Sequence, residues 1–599
     1  MIEKFIYLFL FIASAAFGSF PVAHEGRFHP DDVYRKQMLY EYYHTQSIKK
    51  KHRSLLEHDS NDPVWDLHFN GPENTAFPLL FVQSAELKNA LGLKVKESHF
   101  SFTEINQSIF HDPQAGRRFA SLLIAGQHVP GDEPIELNRI APGLWVKGTE
   151  SGIEILSTPK DRPWSFLEVG AVIAKGVNKK AQTEAESLLG KLYRLKRLPP
   201  ADDRLQPLHI RLQRAGDDFK ALPYRAMPGK WISLRALAFD VSNFTPYPDD
   251  LYVKLKAAYE ARNIDQLTQL LNEGYQTIAG QPYLEAEGKA LTYPSTSQLQ
   301  AESLLYSRSW LIACAALYAL SFLSGVFLQN RTYMFFAVGA FLLHTAILVL
   351  RCYVLERPPV SNMFETVIYV PWVAMLGGFL LQLFSRERWL ILSASVVNVL
   401  LLILLEITQL NQRLDNVQAV LDSQYWLTVH VLMVVGSYGM FALAGVLGHF
   451  YLISRLISGR QTDQTERFGR QILQAMYLGT ALLIPGTILG GVWAAESWGR
   501  FWDWDPKESW AFISSCVYLI WIHAYRFGHI RYDGLAVGSI VGLMVISFTW
   551  YGVNYILGTG LHSYGFGSGG EIYYYLYLAG EAAFIAASLF AIRPKTHYP

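Results

Sequence analysis

Residues 493–510 read Trp-Ala-Ala-Glu-Ser-Trp-Gly-Arg-Phe-Trp-Asp-Trp-Asp-Pro-Lys-Glu-Ser-Trp, with five tryptophans in eighteen positions. A membrane-interface belt enriches tryptophan. It does not account for Asp503, Asp505, Lys507 and Glu508 packed among the indoles. A flat aromatic wall with a few fixed polar groups suits a large planar apolar ligand that carries charged substituents. The apolar C-terminal half also contains His344, His430, His449, His523, His529 and His562. His430 follows Tyr425-Trp426-Leu427, about one turn into an apolar run, and His562 sits in Gly558-Thr559-Gly560-Leu561-His562-Ser563-Tyr564-Gly565. Both fall at the same membrane face as the tryptophan segment. Haem iron takes two axial imidazoles and its porphyrin edge takes aromatic contact, so the pattern reads as a haem site.

His523 is separate. It lies about three residues, roughly 5 Å of helix rise, from the opposite end of its run, a depth at which an ionisable residue is a functional candidate. A second haem site there, or a relay for haem coming from the cytoplasm, is the expectation. His344 lies about twelve residues, roughly 18 Å, from that end. It reads either as a helix-packing histidine or as a further ligand. Some 13 Å of depth separates the two, so His523 needs a partner from another chain.

The elements that must hold these residues follow from composition. Charged residues are 17 % of 599, hydrophobic residues 51 %, and the net charge is +1, which gives no footprint for nucleic acid. Residues 1–23 read as a signal peptide, with Ala13-Ser14-Ala15 as a cleavage site, or as a membrane anchor. Residues 24–307 read as an exported mixed α+β domain. Strand-like stretches occur at Trp145–Lys147 and Ile153–Leu156, and helix-like ones at Ala181–Leu198 and Leu251–Glu273. Pro199-Pro200-Ala201-Asp202-Asp203 marks a turn or linker. Cys314, Cys352 and Cys516 form no C-x-x-C pair, which argues against a disulfide framework, a thiolate metal site or a c-type cytochrome.

Residues 308–599 read as an all-α polytopic membrane bundle. Nine apolar runs occur near 308–327, 332–352, 365–384, 389–406, 426–455, 471–492, 510–526, 534–556 and 573–592. The positive-inside rule sets their orientation. Arg331, Arg386, Arg388, Arg460, Arg467, Arg470, Arg531, Arg593 and Lys595 fall in one set of connections, against Arg413, Arg500 and Lys507 in the other. Arg351 and Arg357 run against the rule. The balance puts the exported domain and segment 493–510 outside and the C-terminus inside.

Trp498 to Trp510 resembles the tryptophan-rich WWD signature of haem-handling proteins, and Pro359-Val360-Ser361-Asn362-Met363-Phe364-Glu365, Tyr425-Trp426-Leu427 and Leu561-His562-Ser563-Tyr564 are similar to the CcsA (ResC) family of system II cytochrome c biogenesis. Pro21–Pro30 is similar to the segment after the last span of CcsB (ResB) in fused CcsBA proteins, and Glu302–Tyr306 to the lead into their CcsA half. The resemblance implies about eight spans, with the run 365–384 or its neighbour as a half-span. It implies haem b as bound ligand and substrate, and a holocytochrome c synthase (haem lyase) that joins the vinyl groups to the thiols of a C-x-x-C-H motif. His430, His562 and His523 would be iron ligands, with His344 as a further candidate. Trp493, Trp498, Gly499, Trp502, Trp504, Asp505, Pro506, Glu508 and Trp510 would form the binding surface. His430, His562, Trp498, Trp502, Trp504 and Asp505 would act in the reaction itself. Lys507 or Arg500 could pair with propionates, and Asp505 and Glu508 could orient the loop or meet propionate partners. Implied partners are a CcsB-like membrane subunit, apocytochrome c and thiol-reducing proteins. The implied location is the cytoplasmic (inner) membrane. The alternative is a haem exporter or chaperone of the CcmC type, without ligation.

Overall fold

The computed structural model describes residues 21–24, 27–44, 77–110, 249–276, 290–306, 309–328, 331–408, 424–557 and 571–592, with shorter stretches between 48 and 284. The chain divides into two compact units, Met1–Ser303 and Leu304–Pro599.

In the first unit the described strands Arg27–Pro30, Pro21–His24, Lys220–Pro223 and Trp231–Ser233 form one antiparallel sheet in that order. Pro21–His24 is therefore a strand that begins inside the stretch 1–23 read as leader or anchor, and residues 1–20 lie outside the described residues. The expected strands are Trp145–Thr149 and Gly152–Ser157, paired antiparallel. The stretch 251–273 is two helices, Asp249–Glu260 and Ile264–Gln276, not one. Arg262 turns left-handed at φ 55°, and Asn263 Oδ1 accepts from Gln266 N at 3.1 Å, which caps the second helix. Most of 181–198, and all of 199–203, lie outside the described residues. The two segments that resemble parts of fused CcsBA proteins, one after the last CcsB span and one leading into the CcsA half, meet directly. His29 Nδ1 and Glu302 Oε1 are 2.7 Å apart and fully buried, and Ser303 Oγ donates to Asp32 Oδ1 at 2.6 Å.

The second unit is a bundle of long helices: α1 (Ser309–Phe327), α2 (Thr332–Leu355), α3 (Met363–Ser385), α4 (Arg388–Thr408), α5 (Leu432–Ser458), α6 (Asp463–Trp498), α7 (Pro506–Arg526), α8 (Tyr532–Ser547) and α9 (Glu571–Ile592). Among the described residues, eight are long and apolar enough to cross a membrane, which makes this a multi-pass membrane protein. The odd one is not the run 365–384, since α3 is an unbroken 23-residue helix. It is α7, whose first turn carries Lys507, Glu508 and Ser509 and whose middle carries Ser514 and Ser515. The three cysteines are free thiols.

Helix α5 is the axis of the bundle and packs on α3, α4, α6, α8 and α9. Its apolar window is 72 % buried against 6 % for that of α9, so α9 is peripheral. Lipid tails supply no hydrophobic drive for helix association, so close approach through small residues does the work. A Cβ on Gly439 would lie 2.5 Å from Val370 O in α3. One on Gly448 would lie 2.3 Å from Ser539 Oγ in α8. Phe441 stacks on Tyr518 of α7 with ring centroids 3.6 Å apart.

Polar groups inside the bundle are matched across helices, as a bilayer requires. Pro371 interrupts the hydrogen-bond ladder of α3, and cross-helix donors reach the carbonyls around it: His344 Nε2 meets Ile368 O at 3.0 Å and Asn398 Nδ2 meets Pro371 O at 2.8 Å. His344 Nδ1 lies 3.4 Å from Tyr318 Oη. His344 is fully buried with both ring nitrogens engaged by protein partners, which is the packing role rather than the ligand role.

The glycine crossing gives a direct test. Gly439→Ala should lower stability by about 1–3 kcal/mol through overpacking. Gly339→Ala, with nothing within 4 Å of its new Cβ, should not. Thermal unfolding of the two detergent-solubilised variants measures the difference.

Candidate functional site

Helix α6 has 36 residues, about 54 Å at 1.5 Å per residue, nearly twice what a hydrocarbon core needs. It starts on a capping box between Thr462 and Thr465 and runs through Trp493 to Trp498. Nothing in Trp493–Trp498 breaks a helix, so the tryptophan segment is not a loop throughout. The irregular part is only 499–505. Gly499 stops α6 in the left-handed conformation at φ 71°, its N–H donating to Ala495 O at 3.0 Å. Asp505 then starts α7, with Pro506 in its first turn.

The acidic residues hold this turn together. Asp505 Oδ1 accepts from Lys507 N at 2.9 Å, and Glu508 Oε2 accepts from Asp503 N at 2.8 Å and Asp505 N at 3.3 Å. Arg500 reaches Asp503 at 3.4 Å and Glu508 at 3.5 Å, with its guanidinium 5.5 Å from the ring centre of Trp498. Of the two roles expected for Asp505 and Glu508, the geometry gives the first, orientation of the loop. Trp504 sits at φ 57°, a strained conformation for an aromatic residue.

An open cleft lies at this end of the bundle, with roughly 1180 Å³ of empty space including its mouth. One wall is Val360, Ser361, Asn362, Met363 and Thr366, from α3 and the turn before it. A second is His430, Val431, Val434, Val435 and Tyr438, at the start of α5. The rest comes from Thr487, Gly490, Gly491 and Trp493 of α6, Trp502, then Lys507, Glu508 and Ala511 of α7, and Trp550 and Asn554. Two π-helical stretches flank it, Leu427–Val431 with His430 and Phe548–Leu557 with Trp550 and Asn554. Such bulges recur at functional sites.

His430 is held at Nδ1. Its Nδ1 lies 2.7 Å from Gly486 O, and a carbonyl only accepts, so Nδ1 carries the proton and Nε2 is the ring's electron-pair donor. The imidazole lies over Gly490, where a Cβ would come within 2.5 Å of Cε1, and it meets Trp493 edge to face at 5.8 Å. Trp426, one residue before this π-stretch, donates to Glu496 Oε2 at 2.7 Å and ties it to α6. Across the cleft, Trp550 Nε1 donates to Thr366 Oγ1 at 3.0 Å.

The turn before α3 is fixed by one carboxylate. Glu365 is fully buried and receives Arg351 and Arg357, each at 3.2 Å, and the N–H and hydroxyl of Ser361, each at 2.9 Å. Arg351 and Arg357 were the exceptions to the charge rule. Their burial explains this, because neither is presented to a membrane surface.

The expected site residues therefore separate. His430, Trp493, Trp502 and Glu508 line the cleft. Gly499, Asp505 and Pro506 shape the turn beside it. Trp498 and Trp504 are outside the lining, Trp504 being 69 % exposed, and Trp510 packs on Phe548 at 4.3 Å. His523 points outward from α7, exposed, with Nδ1 2.7 Å from Leu519 O and Phe527 stacked beside it. His562 lies outside the described residues. The sequence reading missed Thr366, Gly490, Trp550 and Asn554. Each sits in an apolar run where periodicity marks only membrane helix.

The cleft coincides with what this chain shares with known proteins. A family model described as cytochrome C assembly protein matches residues 360–562, which contain every cleft-lining residue. The chain is 30 % identical over 270 residues to cytochrome c biogenesis protein CcsA of Synechococcus sp. (strain RCC307), covering 39 % of this chain and 85 % of that protein. The chain belongs to the CcsA family. CcsA of Amborella trichopoda is 27 % identical over 272 residues, 38 % of this chain and 84 % of that protein. Protein NrfI of Wolinella succinogenes is 32 % identical over 384 residues, which is 58 % of this chain, more than the membrane unit alone can supply. The chain spans only 40 % of NrfI's length.

The turn of this CcsA-family chain is testable on its own. Asp505→Ala should cost about 1 kcal/mol through loss of the cap, whereas Asp505→Ser should retain most of it. Thermal unfolding of both variants checks the order.

Proposed function

We propose that the cleft binds haem b and presents it at the outer face of the cytoplasmic membrane for thioether attachment to the C-x-x-C-H motif of apocytochrome c. The observation that carries this reading is that His430 and the indoles of Trp493, Trp502 and Trp550 line one open cleft. Nδ1–H donation to Gly486 O leaves Nε2 as the nitrogen that would meet iron, the usual arrangement for a metal-binding imidazole. His562 follows Leu557 by five residues, a reach of at most about 18 Å. It is the proposed second axial ligand.

In this holocytochrome c synthase (haem lyase) reading, the protein supplies position. Each cysteine S–H adds across one vinyl C=C, forming a C–S bond and a new C–H bond with no net redox change. Orientation alone can supply on the order of 7–11 kcal/mol in favourable cases. Asp505, Glu508 and Arg500 keep Trp502 at the cleft by fixing the turn that carries it. The incoming substrate histidine would displace one imidazole. The excess of Arg and Lys on one set of connections supports the outward orientation of the cleft. The outward-facing His523 supports a partner ligand from another chain, with a CcsB-like subunit as the proposed source. Apocytochrome c and thiol-reducing proteins are the other proposed partners.

Purified protein with haem should show a bis-imidazole spectrum that His430→Gly changes or abolishes. Gly490→Ala, which pushes on the imidazole without altering any ligand, should weaken haem retention several-fold. An unchanged spectrum in both variants would sink the site. In a reconstituted assay with apocytochrome c, haem that resists acid–acetone extraction reports thioether bonds. Haem that is transferred yet fully extractable would make the chain an exporter or chaperone.

A further inference from the structure

Lys507 is the one charged group of the cleft lining that makes no direct ion-pair contact among the described residues. Glu508, the other charged lining residue, is held by Arg500 and two backbone N–H groups, and the neighbouring Asp505 caps α7. The Lys507 ammonium instead donates to a neutral amide, Asn554 Oδ1, at 3.1 Å, and makes no ion pair among the described residues. Asn554 also lines the cleft, from the π-helical stretch opposite. Arg500 could serve as an anion partner by residue type, but two carboxylates and the Trp498 ring already engage it. A cation set in largely apolar walls, with Asp505 nearby but no carboxylate in direct contact, is stabilised further when a ligand brings one.

We propose that Lys507, steadied by Asn554, is the carboxylate anchor of the cleft, selecting a planar ligand with a free carboxylate on its edge. This rests on the haem reading above, in which the carboxylate is a propionate. It makes Lys507 a specificity-determining residue: it fixes which edge of the macrocycle turns toward α7, while His430 fixes the iron.

The test compares haem with its dimethyl ester, which keeps iron, ring and vinyl groups but carries no charge on that edge. Full-length protein in zwitterionic detergent is titrated with each form and followed by absorption. The wild type should prefer the free acid by about tenfold or more, as for a charge-assisted hydrogen bond. Lys507→Gln should lose that preference, and Lys507→Arg should keep it. Asn554→Asp provides a second route with Lys507 intact: its new carboxylate neutralises the ammonium, and the preference should fall likewise. Retention of the free-acid preference in either Lys507→Gln or Asn554→Asp overturns the assignment. Failure of the wild type to bind either form would instead overturn the haem reading, and this proposal with it.

Discussion

A membrane helix must satisfy its backbone and polar side chains from within the protein, and an open cleft at the end of a bundle puts the greatest strain on that requirement. Helix ends carry unpaired N–H and C=O groups, and four chain segments end or bend at this cleft. Two carboxylates resolve most of the demand. Glu365 collects two guanidinium groups and the Ser361 backbone, which fixes the turn before α3. Glu508 collects Arg500 and two backbone N–H groups, which fixes the turn before α7. With both carboxylates occupied by the protein, indoles, valines, one imidazole and the Lys507–Asn554 pair are left among the groups that line the cleft. Polar rigidity and apolar lining are thus largely separate layers, and neither Glu365 nor Glu508 contributes uncompensated charge to the cleft.

The two π-helical stretches follow from the same geometry. A π turn inserts one residue into a helix and rotates everything beyond it, so it can re-aim side chains without breaking the ladder. Leu427–Val431 turns His430 toward α6, where Gly486 supplies the carbonyl and Gly490 the notch for the ring. Phe548–Leu557 brings Trp550 and Asn554 to one cleft, four residues apart, with Trp550 reaching Thr366 and Asn554 reaching Lys507. A plain α-helix of the same length would place neighbours differently on each wall. The glycines of α6 matter for the absence of a side chain rather than for backbone freedom.

Much of this was legible in the sequence because charges among tryptophans are improbable in a lipid belt. The membrane bundle, the tryptophan segment and His430 at the same end all came from residue type and hydropathy. What remained hidden was of two kinds. Trp550, Asn554, Thr366 and Gly490 lie inside apolar runs, where the pattern records lipid contact and says nothing of a neighbour's face. The division of labour within Trp498–Trp510 was hidden too, because capping and ligand contact call on the same residue types. Asp505 before Pro506 with Glu508 three residues on carries a helix-start signature, and that local signal was outweighed by the tryptophans around it. The split at Arg262 shows the same limit in the first unit, where Asn263 followed by Gln266 marked a new helix within one amphipathic stretch.

The histidines show how depth and partners, rather than residue type, separate roles. His344 is as deep in the bundle as any, and both its nitrogens serve α1 and α3, so a ligand there would have to break two protein contacts. His449 is likewise engaged, between Gly445 O and Glu581 of α9 at 2.9 Å. His430 differs in that its Nδ1 meets a backbone carbonyl and the residue lines the cleft. A backbone acceptor selects the tautomer and the ring plane together, and because it belongs to α6 it does so without calling on a titratable partner. An imidazole set in this way presents the same nitrogen in the same direction whether or not a ligand is bound. If iron is what it meets, little reorganisation is needed on binding, and exchange of the opposite ligand need not disturb it.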